Sequence, residues 1–541
     1  MGKFSRRLSR RAIHSMIFLI VIVVILALSK GHQIIDKATR EVSKIPEAWE
    51  STQRLAKFGL SSSEPVESDR TISVRILDKI RLSLATSPLQ LNPANSRYFT
   101  DVSGKAVYLT GAHTWSNFQD SGITNLSSKF DYNAYLNFLE KNNHNFIRLW
   151  VWEVAGSRMQ TTARQHRFEP MPYQRIGPGK AIDGGLKFDL TRFNQAYFDR
   201  LRQRIQEAGD RNIYVSVMLF NGWGVGSHWS IGSHKDKHPS PWQIHPFNKI
   251  NNINSIDGDL NSNYSGEEVH TLASLKITAI QEAYIRKVID TVNDLDNVLY
   301  EISNESHTDS SSWQYHMISY IKNYESKKEK QHPVGMTVEY PSGENEQLFA
   351  SPADWISPAS DGKTNNPPTA NGKKVILADT DHLCGICGDY QWVWKSFTRG
   401  ENPIFMDPYD NAFLLNSTLA PNSIPQYSLN DTRWVDLRRN LGYALTYANR
   451  MNLVAMTPEN NLASTGYCLA NPNSDKAEYL IYSPPTDRFE VDLSKTLGEL
   501  SGEWFNPKDG LIMGGITTTG GGFRSFIPPF KGDAVLYIHS K

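Results

Sequence analysis

The sequence predicts a (β/α)8 barrel followed by a small β-sandwich, with an N-terminal segment that anchors the chain in a membrane. Three observations favour this fold class. From about residue 90 onwards, short apolar segments alternate with longer amphipathic ones, as in repeated βα units. Polar or aromatic residues follow nearly every apolar segment; a barrel collects its functional groups at these strand ends, whereas a doubly wound sheet predicts no such ring. The final part changes to short alternating strands between turn signals, which is typical of a β-sandwich.

Length and charge limit the classes of function. The 541 residues are enough for a barrel of roughly 250 to 400 residues and a smaller module. The 57 basic and 56 acidic side chains nearly cancel, so no overall field attracts nucleic acid, and no nucleic-acid partner is expected. Aromatic residues make up 11% of the chain, including 13 Trp, and their flat faces suit stacking on sugar rings, although barrel packing also uses them. We expect a monomer and no cofactor.

The three cysteines are too few for a disulfide framework. Cys384 and Cys387 form a CxxC pair, but no second CxxC and no His pair at zinc spacing accompany them, and a thioredoxin-like context is missing. The prediction is therefore an incidental pair or a single bridge, and no metal site is expected.

The N-terminal segment combines a basic cluster with an apolar run. The run at 16–28, extended back through Ala12, reaches about 17 residues, the short end of the membrane-spanning range. The basic cluster before it keeps the N-terminus in the cytoplasm and sends the rest of the chain across. A cleaved signal peptide is the alternative, because 27–29 is a passable small-x-small site. Both interpretations place the catalytic part outside the cytoplasm, as a single-pass membrane protein or, after cleavage, as a secreted one.

The predicted organisation has four parts: a cytoplasmic tail with the membrane anchor at 1–30, a charged stalk at 31–86, the barrel at 87–455 and the β-sandwich at 466–541. After a small hairpin near 97–105, barrel strands are predicted at 106–111, 145–150, 213–220, 298–302, 332–340, 354–360, 373–379 and 402–407. Amphipathic helices are predicted at 131–142, 193–208, 272–292 and 434–450, and the sandwich strands at 478–482, 489–492, 500–504 and 534–538.

Side chains that follow the predicted strands form the candidate sugar-binding set. Its members are His113, Trp115, Trp152, Glu153, Trp223, Asn304, Glu339, Tyr340 and His382. Several have a structural alternative: His113 and Trp115 could pack under the barrel rim, and Glu153 could pair with Arg148 or Arg158. In the long loop at 221–270, Trp229 and Trp242 could be outer platforms for sugar or could pin the loop.

The predicted strand at 298–302 leads into the pair Asn304 and Glu305. Glycoside hydrolysis needs one carboxylic acid that protonates the leaving oxygen, and a barrel presents such groups at the ends of its strands. Glu305 is therefore the candidate acid. For that role its carboxyl must be protonated near neutral pH, which requires apolar surroundings or a negative neighbour.

The chain resembles retaining TIM-barrel glycoside hydrolases, in particular the bacterial apiosidase-like hydrolases that carry a C-terminal module once labelled collagen-binding. The likeness covers roughly residues 90 to 541 and rests on the Asn304–Glu305 pair, on the order of the parts, and on the motifs LTGAHTW at 109–115, EWFNP at 503–507 and GDAVLY at 532–537. It implies a double displacement in which Glu305 is the acid/base and Asn304 binds the hydroxyl beside the anomeric centre. A second carboxylate, about 5 to 5.5 Å away, is then the nucleophile.

The resemblance places this nucleophile at the end of strand seven, where the wider group has Glu and this chain has Asp379, with Asp381 two residues later. Asp379 is the first choice because it directly ends the apolar run; Asp381 is its competitor and Glu339 a fallback. The predicted function is an exported retaining glycosidase that acts on an oligo- or polysaccharide. A catalytically inactive carbohydrate-binding protein with the same aromatic cleft is the alternative. Beyond the label, nothing in 466–541 supports collagen binding.

Overall fold

The computed structural model of the protein describes residues 87–123, 129–158, 165–226, 241–409 and 429–541. The predicted membrane anchor, the predicted stalk and Trp229 lie outside these ranges. Among the helices inside them, none is both long and apolar enough to cross a membrane.

Eight parallel strands close into a barrel, as predicted. They are β1 (Gly111–His113), β2 (Phe146–Leu149), β3 (Tyr214–Asn221), β4 (Val298–Asn304), β5 (Val334–Thr337), β6 (Trp355–Ser357), β7 (Val375–Asp379) and β8 (Asn402–Met406). Each strand pairs with the next along the chain, and β8 pairs with β1 to close the ring. The carboxyl ends of all eight strands therefore point to one face of the barrel.

The first barrel strand begins later than the predicted 106–111. Side-chain amides replace the strand ladder before Gly111: the Leu109 N–H donates to Asn402 Oδ1 at 3.1 Å, and the Thr110 N–H donates to Asn145 Oδ1 at 2.9 Å. The preceding pair Ala106–Val107 instead joins an antiparallel sheet with Gln90–Leu91 and Phe99–Thr100.

Helices follow most of the strands and cover the barrel. They are α1 (Tyr132–Lys141), α2 (Gln195–Gly209), α3 (Leu275–Val292), α4 (Ser311–Glu325), α5 (Asn345–Ala350), α6 (Thr380–Leu383), α7 (Tyr390–Thr398) and α8 (Thr432–Arg450), with short 3-10 turns at Trp242–Ile244, Glu267–His270, Thr308–Ser310, Asn460–Leu462 and Ser474–Lys476. All four predicted helices are confirmed. Asp131, Asn194, Asp389 and Asp431 begin α1, α2, α7 and α8 by accepting a backbone N–H, as N-cap residues do.

Two small sheets lie outside the barrel, formed by segments that follow β1 and β2, and the sequence pattern did not predict them. One consists of Asp120–Ile123, Gln165–Glu169 and Gly156–Arg158; the other is the hairpin of Tyr173–Lys180 and Leu186–Phe193. The hairpin and the loop after β3 share a separate apolar core around Trp242. Trp242 is buried there, so the interpretation of this residue as an outer sugar platform is wrong.

The C-terminal part forms two packed antiparallel sheets. Its strands are β9 (Thr457–Pro458), β10 (Cys468–Asn471), β11 (Glu478–Ser483), β12 (Phe489–Asp492), β13 (Glu499–Phe505), β14 (Ile512–Thr519), β15 (Phe523–Phe526) and β16 (Ala534–Ser540). Six of them pair in the order β9-β10-β11-β16-β13-β14, and β12 pairs with β15. Phe489, Trp504 and Phe526 pack between the sheets. The four predicted strands are confirmed, and Phe505 anchors this part against Trp394 of the barrel.

Candidate active site

Arg148 of β2 organises the open face of the barrel. Its guanidinium donates from Nε to Glu301 Oε2 at 2.9 Å and from Nη2 to Asn304 Oδ1 at 2.8 Å. Nη1 donates to Asp379 Oδ2 and to Asp381 Oδ2, both at 3.0 Å. One buried cation thus joins the end of β4, where Asn304 precedes Glu305, to the end of β7.

The sequence interpretation missed Arg148 and Glu301 as site residues. Both lie inside the barrel, with side chains that are 2% and 0% exposed. A signal for them was present, because each is a lone charge within a buried apolar strand, and a buried charge needs an opposite partner. Arg148 was considered only as a partner of Glu153, which it does not contact here.

Asp379 ends β7 with both carboxylate oxygens occupied. Oδ1 accepts from His113 Nε2 and from the Asp381 N–H, each at 3.0 Å, while Oδ2 accepts from Arg148. Burial alone would raise the pKa of Asp379, but the neighbouring His113 and Arg148 outweigh burial and hold this pKa well below its usual range. Asp379 is therefore an ionised, fully bonded group that also caps α6.

The carboxyl groups of Asp381 and Glu305 lie close enough for the charge of Asp381 to act on Glu305. Burial, then the charge of Asp379, raises the pKa of Asp381 against the opposing effect of Arg148. Burial, then the charge of Asp381, raises the pKa of Glu305, and Arg148 again opposes this. Glu305 is partly exposed, and its carboxyl makes no hydrogen bond within the described ranges. Its carboxyl is thus free to contact a ligand.

His382 sets the orientation of the Asn304 amide. Burial, then the charge of Arg148, lowers the pKa of His382 to about 3, so this side chain is neutral. Because Arg148 can only donate, the Asn304 oxygen must face it, and His382 Nε2 then also donates to that oxygen, at 3.1 Å. Ser357 Oγ lies 2.7 Å from His382 Nδ1 and donates to it. This arrangement turns the Asn304 NH2 group away from both residues, towards Asn221 Oδ1, to which it donates at 3.5 Å.

Glu153 binds the loop after β3. Its Oε2 accepts from the Asn221 N–H at 3.1 Å and from His270 Nε2 at 2.9 Å. Burial disfavours its charged form, but the charge of His270, its hydrogen bond and His245, whose Nε2 lies 3.5 Å from Glu153 Oε1, outweigh burial and hold the pKa of Glu153 well below its usual range. The structure assigns Glu153 to the support of this loop.

The predicted aromatic residues divide between the core and the rim. Trp152 is 2% exposed, stacks on Phe168 at 4.4 Å and donates its indole N–H to the Trp115 carbonyl at 2.9 Å. It therefore packs beneath the rim and does not offer a surface to sugar. Trp115 and Trp223 are partly exposed around it, and Tyr340 is exposed. His113 stacks on Trp150 and reaches Asp379, so it belongs to the charged cluster.

Glu339, the fallback carboxylate, belongs to another environment. Its Oε1 accepts from Ser310 Oγ at 3.1 Å and from Ser311 Oγ at 2.7 Å, at the start of α4. Burial raises the pKa of Glu339 to about 7, against these two hydrogen bonds. Among the described residues, no hydrogen bond or ion pair joins Glu339 to Arg148 or its partners, so the structure does not favour it as the second carboxylate.

A disulfide follows the charged cluster. Cys384 and Cys387 are bridged directly after α6, the short helix that carries Asp381 and His382. This is the single-bridge alternative of the sequence analysis. In the described ranges, no group of three or more His, Cys, Asp or Glu side chains has the arrangement of a metal site.

Comparison with known proteins supports the fold. Residues 157–341 match a family model described as a domain of unknown function (DUF6298). No curated protein sequence matches the chain. A solved structure named as a glycoside hydrolase is similar, with 14% sequence identity and a TM-score of 0.50 over 84% of this chain and 97% of that one. A glycoside hydrolase family 5 protein from Bacteroides vulgatus is 12% identical, with a TM-score of 0.50 over 84% and 93% of the two chains.

A further structure from the same bacterium, assigned provisionally to the glycoside hydrolases, is 11% identical, with a TM-score of 0.53 over 84% and 82% of the chains. At these identities the likeness concerns the fold: the chain has the barrel and the following β domain found in glycoside hydrolases. The activity has to be argued from the side chains.

Proposed function

We propose that the protein is a retaining glycoside hydrolase in which Glu305 is the acid/base and Asp381 is the nucleophile. The observation that carries the proposal is the double contact of Arg148. This guanidinium binds Asp381 after β7 and, on its other side, Asn304, the residue before Glu305. A barrel that gathers two such carboxyl groups at the carboxyl ends of its strands has the parts that glycoside hydrolysis requires.

The first step forms a covalent bond to Asp381. Its carboxylate oxygen attacks the anomeric carbon while the bond from that carbon to the leaving oxygen breaks. The Glu305 carboxyl gives its proton to the leaving oxygen, which departs as an alcohol. The negative charge of Asp381 favours the protonated form of Glu305 before this step, as acid catalysis requires. The Asn304 NH2 group donates to the hydroxyl next to the anomeric centre.

The second step releases the sugar. Formation of the ester removes the charge of Asp381, so the pKa of Glu305 falls and its carboxylate can act as a base. Glu305 takes a proton from water, the water oxygen attacks the anomeric carbon, and the ester bond to Asp381 breaks. In each step the attacking oxygen approaches the anomeric carbon from the side opposite the departing one, so each step inverts the configuration. Two inversions retain the configuration of the sugar.

Asp381 suits the attacking role better than Asp379, the first choice from the sequence. Both carboxylate oxygens of Asp379 accept hydrogen bonds, from His113, from Arg148 and from the Asp381 N–H at the start of α6. Asp381 uses one oxygen on Arg148 and accepts no hydrogen bond on the other from the described residues. Besides burial, the charge of Asp381 raises the pKa of Glu305, as expected of the partner of an acid/base.

The test uses the full-length protein and a panel of aryl glycosides. We expect turnover of at least one glycoside with retained configuration in the product, followed by NMR, and loss of turnover in Asp381→Asn. A mechanism-based fluoroglycoside of the accepted sugar should label the peptide at Asp381 in the wild type and in Asp379→Asn. Labelling at Asp379 would assign the nucleophile to that residue. If the wild type cleaves no glycan yet is retarded on glycan affinity gels, the protein is a binding protein.

The export of the chain is also a proposal. A disulfide persists in oxidising compartments, so the bridge between Cys384 and Cys387 supports a site outside the cytoplasm. We expect a reporter fused after residue 541 to be active only outside the cytoplasm, and cell fractionation to place the chain in the membrane if the segment at 1–30 is retained. Membership of the apiosidase-like group remains a proposal that rests on the order of the parts and on the sequence motifs.

A further inference from the structure

Glu305 has an unusual backbone. Strand β4 ends at Asn304, and the next residue, Glu305, has a φ of 47°, in the left-handed region. Residues other than Gly rarely adopt this region, because the Cβ atom crowds the backbone. Such a conformation persists only where the surroundings impose it. Two groups of contacts around Glu305 do so.

Gly222 forms one side of the enclosure. It directly follows β3, and its N–H donates to the Asn304 carbonyl at 2.7 Å. A Cβ atom on Gly222 would lie 2.3 Å from the Glu305 carbonyl oxygen and 2.4 Å from Ser306 Cα. Both of those atoms are backbone, so no rotation of a side chain could relieve the overlap. Only Gly at this position allows the two backbones to lie against each other.

A chain of side chains forms the other side. Ser306 Oγ lies 3.1 Å from His270 Nδ1 and 2.6 Å from Ser303 Oγ, and His270 Nε2 lies 2.9 Å from Glu153 Oε2. A carboxylate only accepts, so His270 Nε2 donates to Glu153. His270 Nδ1 and the hydroxyls of Ser306 and Ser303 continue the same chain of hydrogen bonds. Ser306 and His270 are buried.

The imidazole itself is fixed by its neighbours. His270 stacks on Trp313, with ring centres 4.5 Å apart and planes within 16°. It ends the 3-10 turn Glu267–His270, and the carbonyl of Glu267 accepts from His307 Nε2 at 2.8 Å. The turn therefore contacts both residues that follow Glu305.

We propose that Gly222, His270 and Ser306 form a positioning device that holds the backbone of Glu305 so that its carboxyl faces Asp381. This inference rests on the proposed function, in which Glu305 is the acid/base. His270 and Ser306 touch neither substrate nor reacting atoms; they act through the position of the Glu305 carboxyl. Because His270 belongs to the long loop after β3, that loop contributes to the position of the Glu305 carboxyl.

The dependence of the rate on the acidity of the leaving group shows whether the catalytic acid is correctly placed, because only a poor leaving group needs its proton. A dinitrophenolate leaves without protonation, whereas a phenolate needs the proton from Glu305. In the full-length protein, we expect His270→Asn and Ser306→Ala to lower kcat/KM for the phenyl glycoside of the accepted sugar by about 10- to 100-fold, because a small displacement of a catalytic group is costly. For the dinitrophenyl glycoside we expect a loss of less than about threefold, because general acid catalysis hardly contributes there.

His316→Asn is the matched control. His316 also pairs with a carboxylate, with Nε2 at 2.8 Å from Glu282 Oε1, but this pair joins α3 and α4 on the outside of the barrel. It should leave both substrates unchanged. Equal losses on the two glycosides, or no loss in either variant, would overturn the positioning role. Ser306→Ala removes a single oxygen and carries the same test should His270→Asn fail to fold.

Glu305→Gln separates this inference from the proposed function. It should show the same preference for the good leaving group, and added azide should restore turnover of the dinitrophenyl glycoside. If Glu305→Gln shows neither effect, Glu305 is not the acid/base and the proposed function fails. If Glu305→Gln shows both effects and the His270 and Ser306 variants behave like the wild type, only the positioning inference fails.

Discussion

Replacement of Arg148 by Met tests the charge balance of the candidate site. Arg148 is the buried cation between Glu301, Asp379 and Asp381, and its side chain is 2% exposed. Met fills much of the space but leaves the carboxylates without this partner. Breaking one buried ion pair by removing one member costs about 3–5 kcal/mol, because the remaining charge stays buried. We therefore expect Arg148→Met to lower the free energy of unfolding by at least about 3 kcal/mol.

The loss should depend on pH, with a sign that the structure fixes. In the wild type the pKa of Asp379 is lowered, so its contribution to stability is present above the ordinary Asp pKa and is lost only as the pH falls through the lowered value. Without Arg148, burial and the charge of Asp379 act on Asp381 with less opposition, so the pKa of Asp381, already raised in the wild type, rises further. When a carboxyl has a raised pKa in the folded state, the protein loses stability as the pH rises through that pKa. The gap between variant and wild type should therefore be larger at pH 8 than at pH 5.

The measurement is urea unfolding of the full-length protein, followed by Trp fluorescence at both pH values. Arg202→Met is the matched control, because Arg202 forms an ion pair with Asp294 in which the two side chains are 36% and 60% exposed. Solvent screens that pair, so its loss should cost less than about 1 kcal/mol. The reasoning is refuted if Arg148→Met costs no more than Arg202→Met, or if the cost is the same at pH 5 and pH 8.

Three further predictions follow from the site. Because the pKa of Glu305 is raised, kcat/KM for a phenyl glycoside should fall on the alkaline side as Glu305 loses its proton, whereas the dinitrophenyl glycoside, which needs no proton from Glu305, should lack this limb in pH–rate profiles. Removing the bridge with Cys384→Ser and Cys387→Ser should destabilise the chain by about 2 kcal/mol or less, as measured by thermal unfolding. It should also lower kcat, because the bridge directly follows α6, which carries Asp381; an unchanged kcat, in the variant or in the wild type with reductant, would contradict this. Glu339→Gln should keep its activity within about threefold. Because burial raises the pKa of Glu339 to about 7, the free energy of unfolding of this variant, measured in urea, should rise relative to that of the wild type by on the order of 1–3 kcal/mol between pH 5 and pH 8. No such rise would show that burying this carboxyl costs nothing.

The regular parts of the fold could be predicted from the sequence because they depend on local patterns. Seven of the eight barrel strands coincide with the apolar runs, since a parallel barrel strand is buried on both faces. The first strand was misplaced because its start depends on the amides of Asn402 and Asn145, the first of which lies 293 residues away. The two small sheets outside the barrel lack such runs and are held by pairing between separate segments, which no local pattern reveals.

The candidate site could be predicted in part for a similar reason. The position of Glu305 follows from strand counting alone. The roles of Arg148 and His270 depend on which side chains meet across the barrel, and no spacing in the sequence encodes these contacts. The sequence left two alternatives open for Trp242, because an aromatic residue in a Gly- and Ser-rich loop can lie on the surface or pin the loop; the loop and the hairpin bury it in a core of their own, so the second holds.

Two aspartates at the end of β7 divide the work that the resemblance gives to one Glu. Asp379 stands at the strand end, and its shorter stem leaves its carboxylate beside His113 and Arg148, at the bottom of the cluster. From there it accepts the Asp381 N–H and begins α6, whose first turn brings Asp381 up to the same guanidinium. The helical turn thus replaces the missing methylene: it moves the attacking role, as proposed, to the second Asp and leaves the first to hold the cation and the turn in place.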